Sequence, residues 1–132
     1  MSDASALPDL KSYEHITVES DGHVAVLTLD EPKKLNAMDT AMLDDMLEAI
    51  CSLNKNPEIR VGILAANGKS FCAGADLRSE LGEGRTTADH LQQDHRPVLM
   101  AIANAPMPWI SAVQGAAAGI GSAYARNCDL TI

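Results

Sequence analysis

Aromatic residues are scarce in this 132-residue sequence, which has one Trp, one Phe and two Tyr. Small and branched aliphatic side chains must therefore fill most of the interior, and they allow backbones to approach closely. Cysteine is also sparse, since Cys51, Cys72 and Cys128 are odd in number and far apart. This spacing predicts neither a disulfide framework nor a zinc site, and it fits a reducing compartment.

Positive charge is in deficit, with 10 Lys and Arg against 18 Asp and Glu and a net charge of -8. This balance argues against partners such as nucleic acid or an anionic membrane surface, because both attract basic proteins. A phosphate-bearing ligand could still bind where basic residues cluster, since salt screens charge beyond about 8 Å. The basic candidates are Lys33, Lys34, Lys69 and Arg78.

Uninterrupted apolar runs are missing as well. Residues 97–125 carry no charge, but Pro106, Pro108 and several glycines break the stretch, so we do not expect a membrane span. The first fifteen residues have neither the apolar core of a secretory signal nor the Arg-rich pattern of a transit peptide. We therefore expect a cytoplasmic protein.

Strand and helix patterns alternate along the chain. Two β-rich runs, 13–20 and 23–30, flank Asp21 and Gly22 and predict a hairpin. An amphipathic helix should begin after Asp39 or Thr40 and reach about residue 54. Further predicted elements, in chain order, are a strand at 60–66, a helix at 87–103 that Pro97 should kink or divide, a strand at 109–113, a helix ending near 127 and a strand at 129–132.

This order predicts an α/β fold with parallel strand pairing in a single domain. The last predicted strand would form an exposed edge that another segment normally covers. We therefore expect residues 1–132 to be the N-terminal part of one domain whose C-terminal remainder is missing.

Two glycine clusters come close to nucleotide-binding motifs. Gly62, Gly68, Lys69 and Ser70 differ from a phosphate-binding loop because five residues, not four, separate the glycines. The cluster at 119–121 lacks the third glycine of a dinucleotide fingerprint. A nucleotide-binding α/β module is therefore a weak alternative. A serine hydrolase is weaker still, since the sequence has no GxSxG motif.

Three segments together carry a more specific signal. They read LDEPKKLNAM at 29–38, FCAGADL at 71–77 and PMPWISAVQGAAAGIGSAYARNCDLTI at 106–132. In this order and spacing they resemble the enoyl-coenzyme A hydratase/isomerase (crotonase) family. The resemblance implies a spiral of ββα repeats, here C-terminally incomplete, that assembles as a homotrimer or hexamer. It also implies an acyl-coenzyme A substrate, with coenzyme A as part of the thioester and neither a prosthetic group nor a metal.

The resemblance further implies an oxyanion hole formed by the backbone N–H groups of Ala75 and Ile120. This role is physically sensible, because an N–H group at a helix N-terminus favours negative charge and neighbouring glycines admit a ligand to the backbone. The remaining residues that match family positions contacting coenzyme A are Lys33, Lys34, Leu35, Ala73, Gly74, Asp76, Leu77, Arg78 and Gly119.

One position departs from the family pattern. Ala123 stands where hydratases of the family place the first of two catalytic glutamates, and the second would fall beyond Ile132. Two functions therefore stay open. One is an enzyme that stabilises a thioester enolate during hydration or double-bond isomerisation, and the other is a chain that binds acyl-coenzyme A or partners without turnover.

The remaining titratable residues show no catalytic or metal-binding pattern. We expect the carboxylates that follow the second motif to form a solvated acidic face, because charge runs usually do. The histidines lack metal-ligand spacing, so we expect them at the surface. The carboxylates are Glu80, Glu83, Asp89 and Asp94, and the histidines are His15, His23, His90 and His95.

Overall fold

The computed structural model describes residues 11–76 and 84–132. Within these ranges strands and helices alternate as the sequence predicts. The elements are β1 Ile16–Asp21, β2 Val24–Leu29, α1 Thr40–Lys55, β3 Val61–Ala66, α2 Thr87–His90, α3 Arg96–Ala103, β4 Trp109–Ser111, α4 Ile120–Asn127 and β5 Leu130–Thr131. A short 3-10 helix at Pro32–Lys34 follows β2, and a π-helical segment at Leu91–His95 joins α2 to α3.

The described strands form one five-stranded sheet in the order β1-β2-β3-β4-β5. Strands β1 and β2 pair antiparallel, and every later pair is parallel. Asp21 pairs with Val24, so Gly22 and His23 form the hairpin turn, with Gly22 in the left-handed region at φ 63°. The predicted hairpin and the predicted parallel α/β arrangement are therefore both confirmed.

Helix α1 covers the sheet at the place where the apolar spacing predicts a helix. The Asp39 side chain accepts a hydrogen bond from the Met42 N–H at 2.9 Å and caps the first turn. The inner face of the helix is buried in the core and consists of Met42, Leu43, Met46, Ala49, Ile50 and Leu53. Burial of this face, more than helix propensity, stabilises the helix.

The predicted helix at 87–103 is divided, as Pro97 suggested. Thr86 and Asp89 cap its start reciprocally, each side chain accepting from the backbone N–H of the other. Pro97 has no N–H and its ring cannot fit against the carbonyl of a regular preceding turn. The turn is widened instead, and the Arg96 N–H bonds to the carbonyl of Leu91, five residues back.

Trp109 on β4 connects three elements of the core. It is fully buried, and its ring lies so close to Gly62 on β3 that a Cβ there would be 2.6 Å from the indole. The indole N–H points toward α1 and donates to Asn54 Oδ1 at 3.2 Å, while Asn54 Nδ2 donates to the Ala101 carbonyl on α3 at 2.8 Å. A single Asn thus joins α1, α3 and β4.

None of the helices that the structure describes is long and apolar enough to cross a membrane.

Replacing Gly62 by Ala should destabilise the protein, because the new methyl group would overlap the Trp109 ring. We expect the free energy of unfolding to fall by about 1–3 kcal/mol, as in other overpacked cores. Chemical denaturation of G62A measures this loss. In the double variant G62A/W109F the smaller ring should relieve part of the overlap, so the two losses should not add. Strict additivity would contradict the proposed contact.

Candidate functional site

Two loop segments lie side by side above the carboxyl ends of β3 and β4. The segment after β3 runs parallel to the segment after β4, and Cys72 pairs with Ala117 as a bridge. The Cys72 N–H donates to the Ala116 carbonyl at 3.2 Å, and the Ala118 N–H donates to the Cys72 carbonyl at 3.0 Å. Both loops therefore leave the sheet in register with each other.

Glycines occupy facing positions two residues beyond this bridge. Gly74 has a φ of 113°, and a Cβ on it would lie 3.1 Å from the Ala118 carbonyl oxygen and 3.9 Å from the Gly119 Cα. Gly119, with a φ of 55°, is the N-cap of α4. Such backbone conformations and close approach favour glycine. Ala75 and Ile120 are the residues that directly follow these two glycines.

The N–H groups of Ala75 and Ile120 have no partner among the described residues. Met38 bridges to Ala75, but the bonds run from the Met38 N–H to the Gly74 carbonyl at 2.8 Å and from the Asp76 N–H to the Met38 carbonyl at 2.9 Å. In this parallel pattern the Ala75 N–H points away from Met38. The Ile120 N–H is at the start of α4, where N–H groups have no intrahelical acceptor.

The loop after β2 forms the next wall of the site. The Leu35 carbonyl accepts from the Ala73 N–H at 3.0 Å, and the Lys34 ammonium binds Asp76 at 2.8 Å and Asp39 at 3.1 Å. Leu35 and Ala73 are both exposed. The structure therefore gathers Lys34, Leu35, Ala73 and Asp76 beside the glycine pair, whereas Leu77 and Arg78 lie outside the described residues.

The charge of Lys34 is balanced within the protein. The hydrogen bond that Lys34 donates to Asp76 is the largest effect and raises the pKa of Lys34, and the bond to Asp39 adds to it. Burial opposes ionisation of Asp39, but the Met42 N–H and Lys34 outweigh it and lower the pKa of Asp39. Lys34 is thus paired with Asp39 and Asp76. Lys33, in contrast, is exposed and makes no ion pair with the rest of the described chain. The contact of both lysines with coenzyme A stays a prediction.

One buried and one half-buried polar side chain, Asn36 and Gln114, fix these loops, and sequence reasoning assigned them no role. Asn36 is fully buried; its amide donates to the carbonyls of Asn67 at 2.8 Å and Ser70 at 3.0 Å, and its oxygen accepts from the Glu31 N–H. Gln114 donates to the carbonyls of Ala66 and Gly68. Asn36 lies in the LNAM part of the first motif, and this position was the only feature of the sequence that pointed to a role for Asn36.

An open cleft of about 340 Å³ begins at Ile120 and extends along the π-helical segment and α3. Its described lining is mainly apolar and contains no carboxylate. The lining residues are Leu91, Gln92, His95, Arg96, Leu99, Met100, Ile120 and Asn127. Ala123 is half-buried and is not part of this lining. The cleft can therefore hold an apolar group next to Ile120.

Two expectations for the titratable residues were wrong. His90 and His95 are buried, at 7% and 0% exposed, because the divided helix turns both toward the core. Asp94 is not solvated, since it pairs with His90 at 2.5 Å and with Arg85 at 2.9 Å. The exposed position of His23 agrees with expectation, whereas Asp89 is half-buried and His15 is half-buried against Glu31. The other two carboxylates, Glu80 and Glu83, lie outside the described residues.

Among the residues described, no group of three or more His, Cys, Asp or Glu side chains could hold a metal ion. The glycine cluster at Gly68 is followed by an extended segment and not by the helix that a phosphate-binding loop requires. The described features that could bind a ligand are thus the N–H groups of Ala75 and Ile120, the loop that carries Lys34 and the apolar cleft.

Comparison with known proteins identifies the family to which this arrangement belongs. The sequence model described as enoyl-CoA hydratase/isomerase matches residues 19–132. The chain belongs to the enoyl-CoA hydratase/isomerase family. A probable enoyl-CoA hydratase of Rhodobacter capsulatus is 36% identical over 92% of this chain and 46% of its own length. The (E)-benzylidenesuccinyl-CoA hydratase of Thauera aromatica is 34% identical over 89% of the chain and 46% of its own length.

Solved structures of the family agree in fold. An enoyl-CoA hydratase/carnithine racemase of Magnetospirillum magneticum superposes with a TM-score of 0.85 at 28% identity, over 92% of this chain and 47% of that one. An enoyl-CoA hydratase of Mycobacterium smegmatis gives 0.83 at 34% identity, over 89% and 47%. The chain therefore has a partial crotonase fold and spans about half the length of the relatives that it matches.

Replacing Lys34 by Met should remove the ion pairs with Asp39 and Asp76 and lower the free energy of unfolding by about 1 kcal/mol at pH 7. The pKa of Asp39 is lowered in the folded protein, so this contribution is present above the unfolded value of 3.8 and is lost as the pH falls through the folded value. Urea denaturation at pH 7 and at pH 3 measures it.

Lys33 supplies the matched control, because K33M removes the same charge from the same loop without breaking an ion pair to another described residue. We expect K33M to be close to neutral at both pH values. If K33M and K34M lost equal stability, the loss would reflect net charge and not the pairing of Lys34.

Proposed function

We propose that the chain binds an acyl-coenzyme A thioester with its carbonyl oxygen between the N–H groups of Ala75 and Ile120. The observation that carries this proposal is the register of the two loops. The bridge between Cys72 and Ala117 and the close approach of Gly74 to Gly119 support it, because Ala75 and Ile120, whose N–H groups have no described partner, directly follow these glycines. Two such donors stabilise the negative oxygen of a thioester enolate, each contributing about 3 kcal/mol to the transition state.

The remaining parts of the site fit the same substrate. The cleft of about 340 Å³ at Ile120 is apolar enough to take an acyl chain. The exposed loop with Lys33 and Leu35, next to Ala73 and Asp76, is proposed to lie along the nucleotide and pantetheine parts of coenzyme A. Coenzyme A is then a part of the substrate, and the proposed reaction uses no prosthetic group.

The proposed reaction class is hydration or double-bond isomerisation of an enoyl-coenzyme A. This step goes beyond family membership, because the chain spans about half of its relatives and Ala123 supplies no proton-transfer group. The likeness to relatives that are themselves named hydratases supports the reaction class. We further propose a cytoplasmic homotrimer or hexamer as the full-length assembly, as the resemblance to the family implies.

A second function is favoured by one specific observation. The described lining of the cleft has no carboxylate, and Ala123 stands where a catalytic glutamate is expected. A chain with this site can bind and polarise a thioester without completing the reaction. Following loss of the enoyl group of crotonyl-coenzyme A in the presence of this chain separates the alternatives, since measurable turnover excludes a binding-only role.

Saturating crotonyl-coenzyme A should raise the unfolding temperature by about 10 °C, because a ligand at a hundred times its Kd adds about 2.7 kcal/mol. The thioether S-crotyl-coenzyme A lacks the carbonyl oxygen, so it should protect the protein less. In G119A, strain at the left-handed Gly119 should displace the Ile120 N–H and remove the difference between the two ligands. Differential scanning fluorimetry measures both shifts.

The variant G22A is the matched control, since Gly22 has a similar φ of 63° but lies in the distant hairpin with no atom within 4 Å of an added Cβ. It should lose stability and keep the preference for the thioester. Equal protection by thioester and thioether in the wild type would contradict the oxyanion hole. Protection by neither would contradict coenzyme A binding.

A further inference from the structure

His95 occupies the wall of the cleft that begins at Ile120. It is the last residue of the π-helical segment and is fully buried, and Leu91 and Leu99 line the same cleft. Single widened turns of this kind are frequent at functional sites. A polar ring in the wall of a mainly apolar cleft can distinguish ligands, because apolar walls alone recognise only size and shape.

One nitrogen of this ring has a partner and the other has none. Nδ1 lies 3.1 Å from the hydroxyl oxygen of Tyr124 on α4. Nε2 is buried without a hydrogen-bond partner in the described structure. Leaving a buried donor or acceptor unpaired is costly, so such atoms in native proteins usually have a functional or structural explanation.

The contact with Tyr124 fixes which ring nitrogen carries the proton. The Tyr124 hydroxyl is buried, and Nδ1 is the only partner that the described residues offer it. The hydroxyl proton is therefore satisfied only when Tyr124 donates to Nδ1, which must then be the unprotonated nitrogen. In neutral His95 the proton is consequently on Nε2, and Nε2–H is a hydrogen-bond donor without an acceptor among the described residues.

The ring is neutral under physiological conditions. Burial is the main cause that lowers the pKa of His95, to about 4, and the nearby His90 adds to the effect while Asp94 opposes it. The His90 ring stands edge-on to it at 4.9 Å between centroids. A neutral donor suits an uncharged oxygen, and the Nε2–H tautomer cannot accept a proton at that atom. The state of the ring thus fits recognition of an acceptor and not general base catalysis.

We infer that His95 determines acyl specificity: its Nε2–H donates a hydrogen bond to an oxygen on the acyl group, beyond the thioester carbonyl, and Tyr124 positions the ring. The inference rests on the proposed function, since it requires an acyl-coenzyme A in this cleft. The favoured substrate class is an oxygenated acyl chain, carrying a hydroxyl or keto group, over a plain hydrocarbon chain. Because His95 is closed off from solvent, the wall of the cleft must open to admit that oxygen.

Isosteric pairs of thioesters test the inference, since a hydroxyl and a methyl group are similar in size. The probes are 3-hydroxybutyryl- against 3-methylbutyryl-coenzyme A, and 4-hydroxybutyryl- against pentanoyl-coenzyme A, with each Kd measured by isothermal titration calorimetry. We expect the wild type to bind at least one hydroxylated probe about three to ten times more tightly than its partner, the gain of one neutral hydrogen bond.

Two variants of nearly equal shape isolate the donor. In H95Q the amide nitrogen stands in for Nε2 and should keep the preference, whereas H95M has a similar length without an N–H and should lose it. Q93M makes the same amide-to-thioether change on the same π-helical segment at an exposed position outside the lining, and it should behave as the wild type. Y124F provides a second test that leaves His95 in place, and it should weaken the preference.

The outcomes separate this inference from the proposed function. No preference in the wild type, or a preference that survives in both H95M and Y124F, overturns the role of His95 while leaving thioester binding intact. Failure of all four thioesters to bind the wild type overturns both. Thermal unfolding of each variant shows that it is folded before its Kd is measured.

Discussion

The parallel contact between the loops after β3 and β4 is the constraint on which the site depends. The sheet sets the spacing and direction of the two loops, and the bridge between Cys72 and Ala117 carries that register beyond the strands. Gly74 then permits a close backbone approach to Ala118, and Gly119 adopts a positive φ that favours glycine. The proposed oxyanion hole consists of main-chain N–H groups, so its geometry would follow from the fold more than from side-chain identity.

Buried and half-buried polar side chains hold this contact in place. Asn36 anchors the loop after β2 to the backbone at Asn67 and Ser70, and Gln114 anchors the loop after β4 to that same turn. Lys34 joins the first loop to Asp76 beside the glycines. Because loops usually make fewer fixed contacts than strands and helices, such bonds supply the rigidity that the proposed oxyanion hole would require.

The divided helix contributes the other side of the site. Pro97 cannot continue a regular helix, and the widened turn that precedes it directs His90 and His95 inward. Burial then keeps His95 neutral, and Tyr124 on α4 orients its ring. A backbone irregularity caused by one proline thus brings a polar group into an apolar cleft next to Ile120.

The sequence by itself determined the alternation of strands and helices, the hairpin at Gly22, the division near Pro97 and membership of the family through three ordered motifs. These features depend on local periodicity, turn chemistry and motif spacing, which a single chain displays directly. The sequence did not reveal the burial of His90 and His95, the pairing of Asp94 with Arg85 or the anchoring role of Asn36. Only the tertiary structure decided them, because burial and hydrogen-bond partners depend on how the chain packs after the sheet has formed. Asn36 and Ser70, for example, are 34 positions apart in the chain and meet only in the folded protein.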